Sequence, residues 1–110
     1  MLEEKERVVI MLLKVGINKK GINGNVDTYV YDAKYLFSDI EKMKKIANNF
    51  VQNIPSEYQE IEIYNYGINA IAKLEFMEVV KAFINCKREL KVYHMVYDND
   101  TDGYIRHRIK

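Results

Sequence analysis

Residues 60–97, EIEIYNYGINAIAKLEFMEVVKAFINCKRELKVYHMVY, decide the fold. The segment 60–66 alternates, with Ile61 and Ile63 on one side and Glu60, Glu62, Tyr64 and Tyr66 on the other. That is the period of a strand with one face on a core and one in water. Gly67 breaks the pattern, and Asn69 offers a side-chain oxygen suited to the first free N–H groups of a helix. From 70 to 87 apolar residues recur every three to four positions. Ala72, Phe76, Val80 and Phe83 form the expected centre, flanked by Met77, Val79 and Ile84. LKVYHMVY at 90–97 reads as a strand again. Strand, helix and strand in that order predict a right-handed crossover between parallel strands.

Working outward, DNDTDG at 98–103 is a turn, and YIRHRI at 104–109 is a last strand folding back on 90–97. Upstream, Pro55 stops a helix that runs from about Ser38 to Asn53. Ser38 and Glu41 have capping-box spacing, and Ile40, Met43, Ala47, Phe50 and Ile54 form one stripe. VDTYVYDA at 26–33 is rich in β-formers. RVVIMLLKV at 7–15 has the length and apolarity of a strand covered on both sides. GINKKGINGN at 16–25, with three glycines and three asparagines, is read as a loop or hairpin connection. The order ββαβαββ predicts an α+β fold, a two-layer sandwich with a mixed β-sheet of about five strands and two helices on one face. At 110 residues, it forms a single domain, 1–110.

Composition limits the function. Seventeen basic residues against sixteen acidic ones leave a net charge of +1, too little to steer the whole molecule to nucleic acid or a membrane surface. The one cysteine, Cys86, excludes an intrachain disulfide and a cysteine zinc site. The longest apolar run, Val8 to Leu13, is far short of the ~20 residues of a membrane helix. The first residues are acidic rather than signal-like, so a cytoplasmic location, in the producing cell or its host, is expected. Heavy use of Asn, Ile and Lys suggests an AT-rich source such as a low-GC bacterium or its phage.

If the helices cover one sheet face, alternation sorts the side chains. Ile61, Ile63, Val92, His94, Val96, Ile105, His107 and Ile109 fall inward. Tyr64, Tyr66, Tyr93, Met95, Tyr97, Tyr104, Arg106 and Arg108 fall on the open face, with Tyr29 and Tyr31 expected to join them. Tyr and Arg together are enriched at binding hot spots, whereas tyrosine also covers solvated sheet through β-propensity alone. Glu60 and Glu62 share that face and count against a platform for single-stranded nucleic acid.

Other motifs are weaker. Asp98, Asp100, Asp102 and Gly103 match the opening of a calcium loop, but its twelfth position is Ile109 instead of a bidentate Glu; a hairpin turn is the simpler reading. His94 and His107 are expected across from each other in the last hairpin, without a third ligand, as packed histidines. Lys19 and Lys20 lie in a glycine-rich loop that offers backbone amides to an anion but lacks P-loop spacing. No nucleophile, base and orienting group converge.

The expectation is a small non-enzymatic binding protein without a cofactor or metal. It acts through Tyr64, Tyr66, Tyr93, Tyr97, Tyr104, Arg106 and Arg108 on a protein partner, with a second copy of itself, as a homodimer, among the candidates. An accessory or inhibitor protein of phage or mobile-element origin fits this size and composition. The alternatives are a protein that sequesters a nucleotide or small anion, using Lys19 and Lys20, and a single-stranded nucleic-acid-binding module.

Overall fold

The computed structural model describes residues 10–20, 25–65 and 67–110. The expected strand residues 7–9, loop residues 21–24 and Tyr66 lie outside them. Five strands form one mixed sheet: β1 (Met11–Asn18), β2 (Thr28–Tyr31), β3 (Tyr58–Tyr64), β4 (Lys91–Asp98) and β5 (Gly103–Arg108). Two helices, α1 (Ile40–Gln52) and α2 (Ala70–Asn85), complete the order ββαβαββ. Across the sheet the strands run β2-β1-β3-β4-β5. β1 is parallel to both β2 and β3, β3 is parallel to β4, and β4–β5 is an antiparallel hairpin.

β1 extends three residues beyond the expected boundary, through Gly16 to Asn18. Gly16 belongs to the strand because Tyr29 of β2 lies across it; a Cβ there would stand 2.7 Å from the Tyr29 ring. A strand glycine marks such close approaches. The connection that follows is no hairpin, since β1 and β2 are parallel. Parallel neighbours normally need a long crossover. Here β2 pairs only from Val15↔Thr28 to Asn18↔Tyr31, so the chain drops back by just three residues, about 10 Å. Asp27 fastens the return: its carboxylate accepts from the Lys14 amide at 2.8 Å, and its own amide donates to the Lys14 carbonyl.

The core lies between the helices and one sheet face. Val15, Ile61, Ile63 and Val92 supply the sheet side; Met43, Ala47, Val51, Val79, Ala82 and Phe83 supply the helices. α1 begins after a 3-10 turn at Phe37–Asp39, so Ser38 is not its cap. Asp39 instead accepts from the Leu36 amide. Asn69 caps α2 as expected, accepting from the Ala72 amide at 2.8 Å. The buried arc of α2 differs from the expected one. Ala72, Glu75, Glu78, Val79, Ala82 and Phe83 are buried, while Phe76 and Val80 are only half-buried. α2 ends at Asn85 rather than 87.

Two basic side chains close the helix C-termini from a distance. Arg88 donates to the carbonyls of Val51, Ile54 and Pro55 at the end of α1. Lys110 Nζ donates to the carbonyls of Phe83, Cys86 and Arg88 and to the Cys86 sulfur at the end of α2. Cations at these ends satisfy unpaired carbonyls and oppose the helix dipole.

Two helices side by side span about 20 Å, the width of roughly four strands. α1 packs on β2, α2 packs on β1, and each helix packs on the other. β5 and the outer half of β4 therefore lie beyond the helix layer.

Candidate functional site

The open face carries Tyr64, Tyr93, Tyr97, Tyr104, Arg106 and Arg108, and strand register brings them together. Tyr93 lies opposite both Glu62 and Arg108, Met95 opposite both Tyr64 and Arg106, and Tyr97 opposite Tyr104. The Arg106 guanidinium stacks 3.5 Å from the centre of the Tyr93 ring. It reaches Glu62 at 3.1 Å and Glu60 at 3.4 Å. Glu62 also accepts from the Tyr64 hydroxyl at 2.9 Å, and both residues are buried although they lie on the helix-free side. Burial, then the hydrogen bond to Glu62 and its charge, push the Tyr64 hydroxyl up to about 12. The rings of Tyr64, Tyr104 and Tyr97 meet edge to face at 5.2 and 5.5 Å. Arg106 is thus engaged within its own chain, and its cluster acts as a small second core.

The remaining predicted residues are scattered. Arg108 is exposed and donates to the Lys110 carbonyl. Tyr97 donates to Asp102 across the β4–β5 turn, which raises its hydroxyl pKa. Tyr29 lies over Gly16, but Tyr31 does not join the open face. It is fully buried, and its hydroxyl donates to the Met43 carbonyl of α1 at 2.8 Å. β2 ends at Tyr31, and its ring turns inward against Tyr35. Lys19 is exposed, while Lys20 borders a crevice at the end of β1. The aspartates of the turn hold the turn itself: Asp98 accepts from the Asp100 amide and the Thr101 hydroxyl. Among the described residues, no three His, Cys, Asp or Glu side chains converge to hold a metal.

The helix side of the hairpin departs most from the expected inward set. Val92 is buried, but Val96 and Ile105, paired across β4 and β5, are 36% and 46% exposed. Phe76, Val80 and Ile84, with Met77 beside them, fall on one flank of α2. Phe76 stacks on His94 of β4 with ring centres 4.4 Å apart, so this flank rises beside the uncovered strands. Ile84 and Met77 on it are 53% and 49% exposed. Phe76, Val96 and Ile105, with Met77 beside them, form an apolar strip bounded by the free edge of β5. Sequence periodicity pointed to the apolar residues but could not show that the helix layer ends before reaching them.

His94 sits at the base of this strip, directly opposite His107. Burial, then the neighbouring His107, lower its pKa from 6.5. The folded state therefore favours neutral His94. Its contribution to stability is complete above about 6.5 and is lost as pH falls through the lower folded value. Thermal melts of wild type and His94→Phe should converge or cross as pH falls, with wild type losing more stability below 6.5. Parallel curves would remove the titration of His94 from the account.

Among the described residues no helix is long and apolar enough to cross a membrane. No protein family, no curated protein and no solved structure was found to match this chain.

Proposed function

We propose that the chain is a non-enzymatic protein-binding module that works as a homodimer, joined through the free edge of β5 and the apolar strip beside it. The observation that carries this reading is the uncovered pair Val96 and Ile105 next to the exposed flank of α2. Contiguous apolar surface of this kind marks contact sites, and an uncapped edge strand invites pairing.

A second copy suits the edge. Antiparallel pairing about a two-fold at Ile105 sets Ile105 against its equivalent, while Arg106 and Tyr104 stay packed on their own sheet against Glu60, Glu62, Tyr93, Tyr64 and Tyr97. Centring the pairing on Arg106 sets two arginines face to face, an unfavourable cross-strand pair. The contact surface thus moves from the open face to the edge and the helix side. The engagement of Arg106 by Glu60, Glu62 and Tyr93 counts against the nucleic-acid reading.

The test is solution mass. Wild-type protein at tens of micromolar is expected at twice the 13.0 kDa of one chain. Ile105→Lys, which places two cations at the axis, is expected at the single-chain mass with its thermal transition intact, because Ile105 is exposed. A wild-type monomer, or an Ile105→Lys dimer, would overturn the proposal.

A further inference from the structure

The chain contains two histidines, and the β4–β5 register sets them directly opposite each other: His94 pairs with His107. Opposite residues of an antiparallel pair share one face, with Cβ atoms about 4.5–5.5 Å apart. Both imidazoles therefore rise side by side on the helix side of the hairpin. They stand at the margin of the helix layer, where His94 is half-buried and His107 is exposed.

Their surroundings favour the neutral form. Ile63 of β3 lies beside His94 on one flank and His107 on the other, and the Phe76 ring of α2 stacks on it. Val92 and Val96 are its neighbours on the same face of β4. Burial and then His107 disfavour the charged form of His94, and among the described residues no carboxylate opposes them. Among the described residues no hydrogen bond from the protein occupies either ring. A protonated pair at this spacing repels itself, whereas a neutral pair presents two in-plane lone pairs from one hairpin. Neutral imidazole is the commonest metal-binding side chain.

Nitrogen-to-metal distances of about 2.0–2.1 Å let one ion join two imidazoles at this spacing. We infer that His94 and His107 chelate one divalent transition-metal ion, copper(II) most tightly and zinc(II) less so, with water at its remaining positions. Imidazole nitrogen selects these ions over magnesium and calcium, which prefer oxygen, and copper leads the divalent series. Phe76 presets the His94 ring, so binding has mainly His107 to order. Among the described residues no third His, Cys, Asp or Glu joins the pair, so the site is open, unlike a closed structural zinc site. Both ligands belong to one chain, and the site does not depend on the dimer. Pairing centred on Ile105 would set Gly103 of the second copy opposite His107, which leaves the outer side of the ion uncovered.

Isothermal titration of the full chain, free of added histidines, with copper(II), zinc(II) and magnesium chlorides tests the assignment. One copper(II) per chain is expected at micromolar affinity, with zinc(II) weaker and magnesium without effect. His107→Ala is expected to fold, because His107 is exposed. It should weaken copper(II) about tenfold or more, since the second imidazole of a chelate binds at the effective concentration of a tethered group. Electron paramagnetic resonance should count two imidazole nitrogens on the bound copper in wild type and one in His107→Ala. His94→Phe should match His107→Ala; if it does not fold, His107→Ala decides alone. Zinc(II) should raise the thermal transition of wild type and leave that of His107→Ala in place. Absence of saturable copper(II) binding at tens of micromolar, or copper(II) bound equally well by His107→Ala, would overturn the inference.

Discussion

Val92→Asp is expected to abolish the cooperative thermal transition. Val92 is fully buried on the helix side of β4, beside Ile61 of β3. Its backbone also holds the chain beyond β5: its carbonyl accepts from the Ile109 amide at 2.8 Å, and its amide donates to the Lys110 carbonyl at 3.0 Å. Its side chain belongs to the buried apolar cluster with Ile61, Val79 and Phe83, and the nearby Lys110 ammonium is already held by the carbonyls of Phe83, Cys86 and Arg88. Burying that charge, or protonating it, costs several kcal/mol, against a total stability of about 5–15 kcal/mol for a domain. Val96→Asp is the matched control on the same strand and face. Val96 is exposed in the single chain, so the substitution should cost about 1 kcal/mol or less there. Circular dichroism melts of both variants check the pair. A cooperative Val92→Asp transition near that of wild type would refute the burial.

Arg106→Ala is expected to be the most destabilising substitution on the open face, by roughly 2–4 kcal/mol. Glu62 is buried, and among the described residues Arg106 and the Tyr64 hydroxyl hold its carboxylate. Removing the guanidinium strands that charge and uncovers the Tyr93 ring. The half-exposed ion pair to Glu60 adds little, as surface pairs do. Urea unfolding of Arg106→Ala, Glu62→Gln and the double variant forms a cycle. Glu62→Gln should recover about half or more of the loss in the Arg106→Ala background. Additive single effects would show that Glu62 is not the group Arg106 serves. The same logic makes Tyr97→Ala with Arg106→Ala a poor probe of binding alone, because it attacks the fold.

The region 60–97 was legible because each of its signals is local. Alternation marks β3, the Asn69 oxygen caps α2, and a strand follows at the required distance. The face of α2 was not legible. The helix is apolar around much of its circumference, so periodicity centred it on Phe76 and Val80. The structure turns it to bury Glu75 and Glu78, whose partners Asn18 and Lys81 make that possible. Gly16 read as loop because its use, space for Tyr29, lies on another strand. Tyr31 read as open-face because alternation assumes that a strand continues, and β2 stops there. On the open face, residue types and register were legible, but the capture of Arg106 by Glu60 and Glu62 depends on how closely β3 and β5 face β4.

The two borders of the sheet are unequal. β2 offers four residues and β5 offers six, and the β4–β5 hairpin alone runs beyond the helices. A sheet with two equivalent free borders can recruit copies indefinitely and grow into a fibre. This one has a single border long enough for stable recruitment. If two copies join as proposed, symmetric joining would consume that border on both at once, so growth would terminate after one step. Such a dimer would keep outside only a pair of short β2 borders, each too brief to seed another addition.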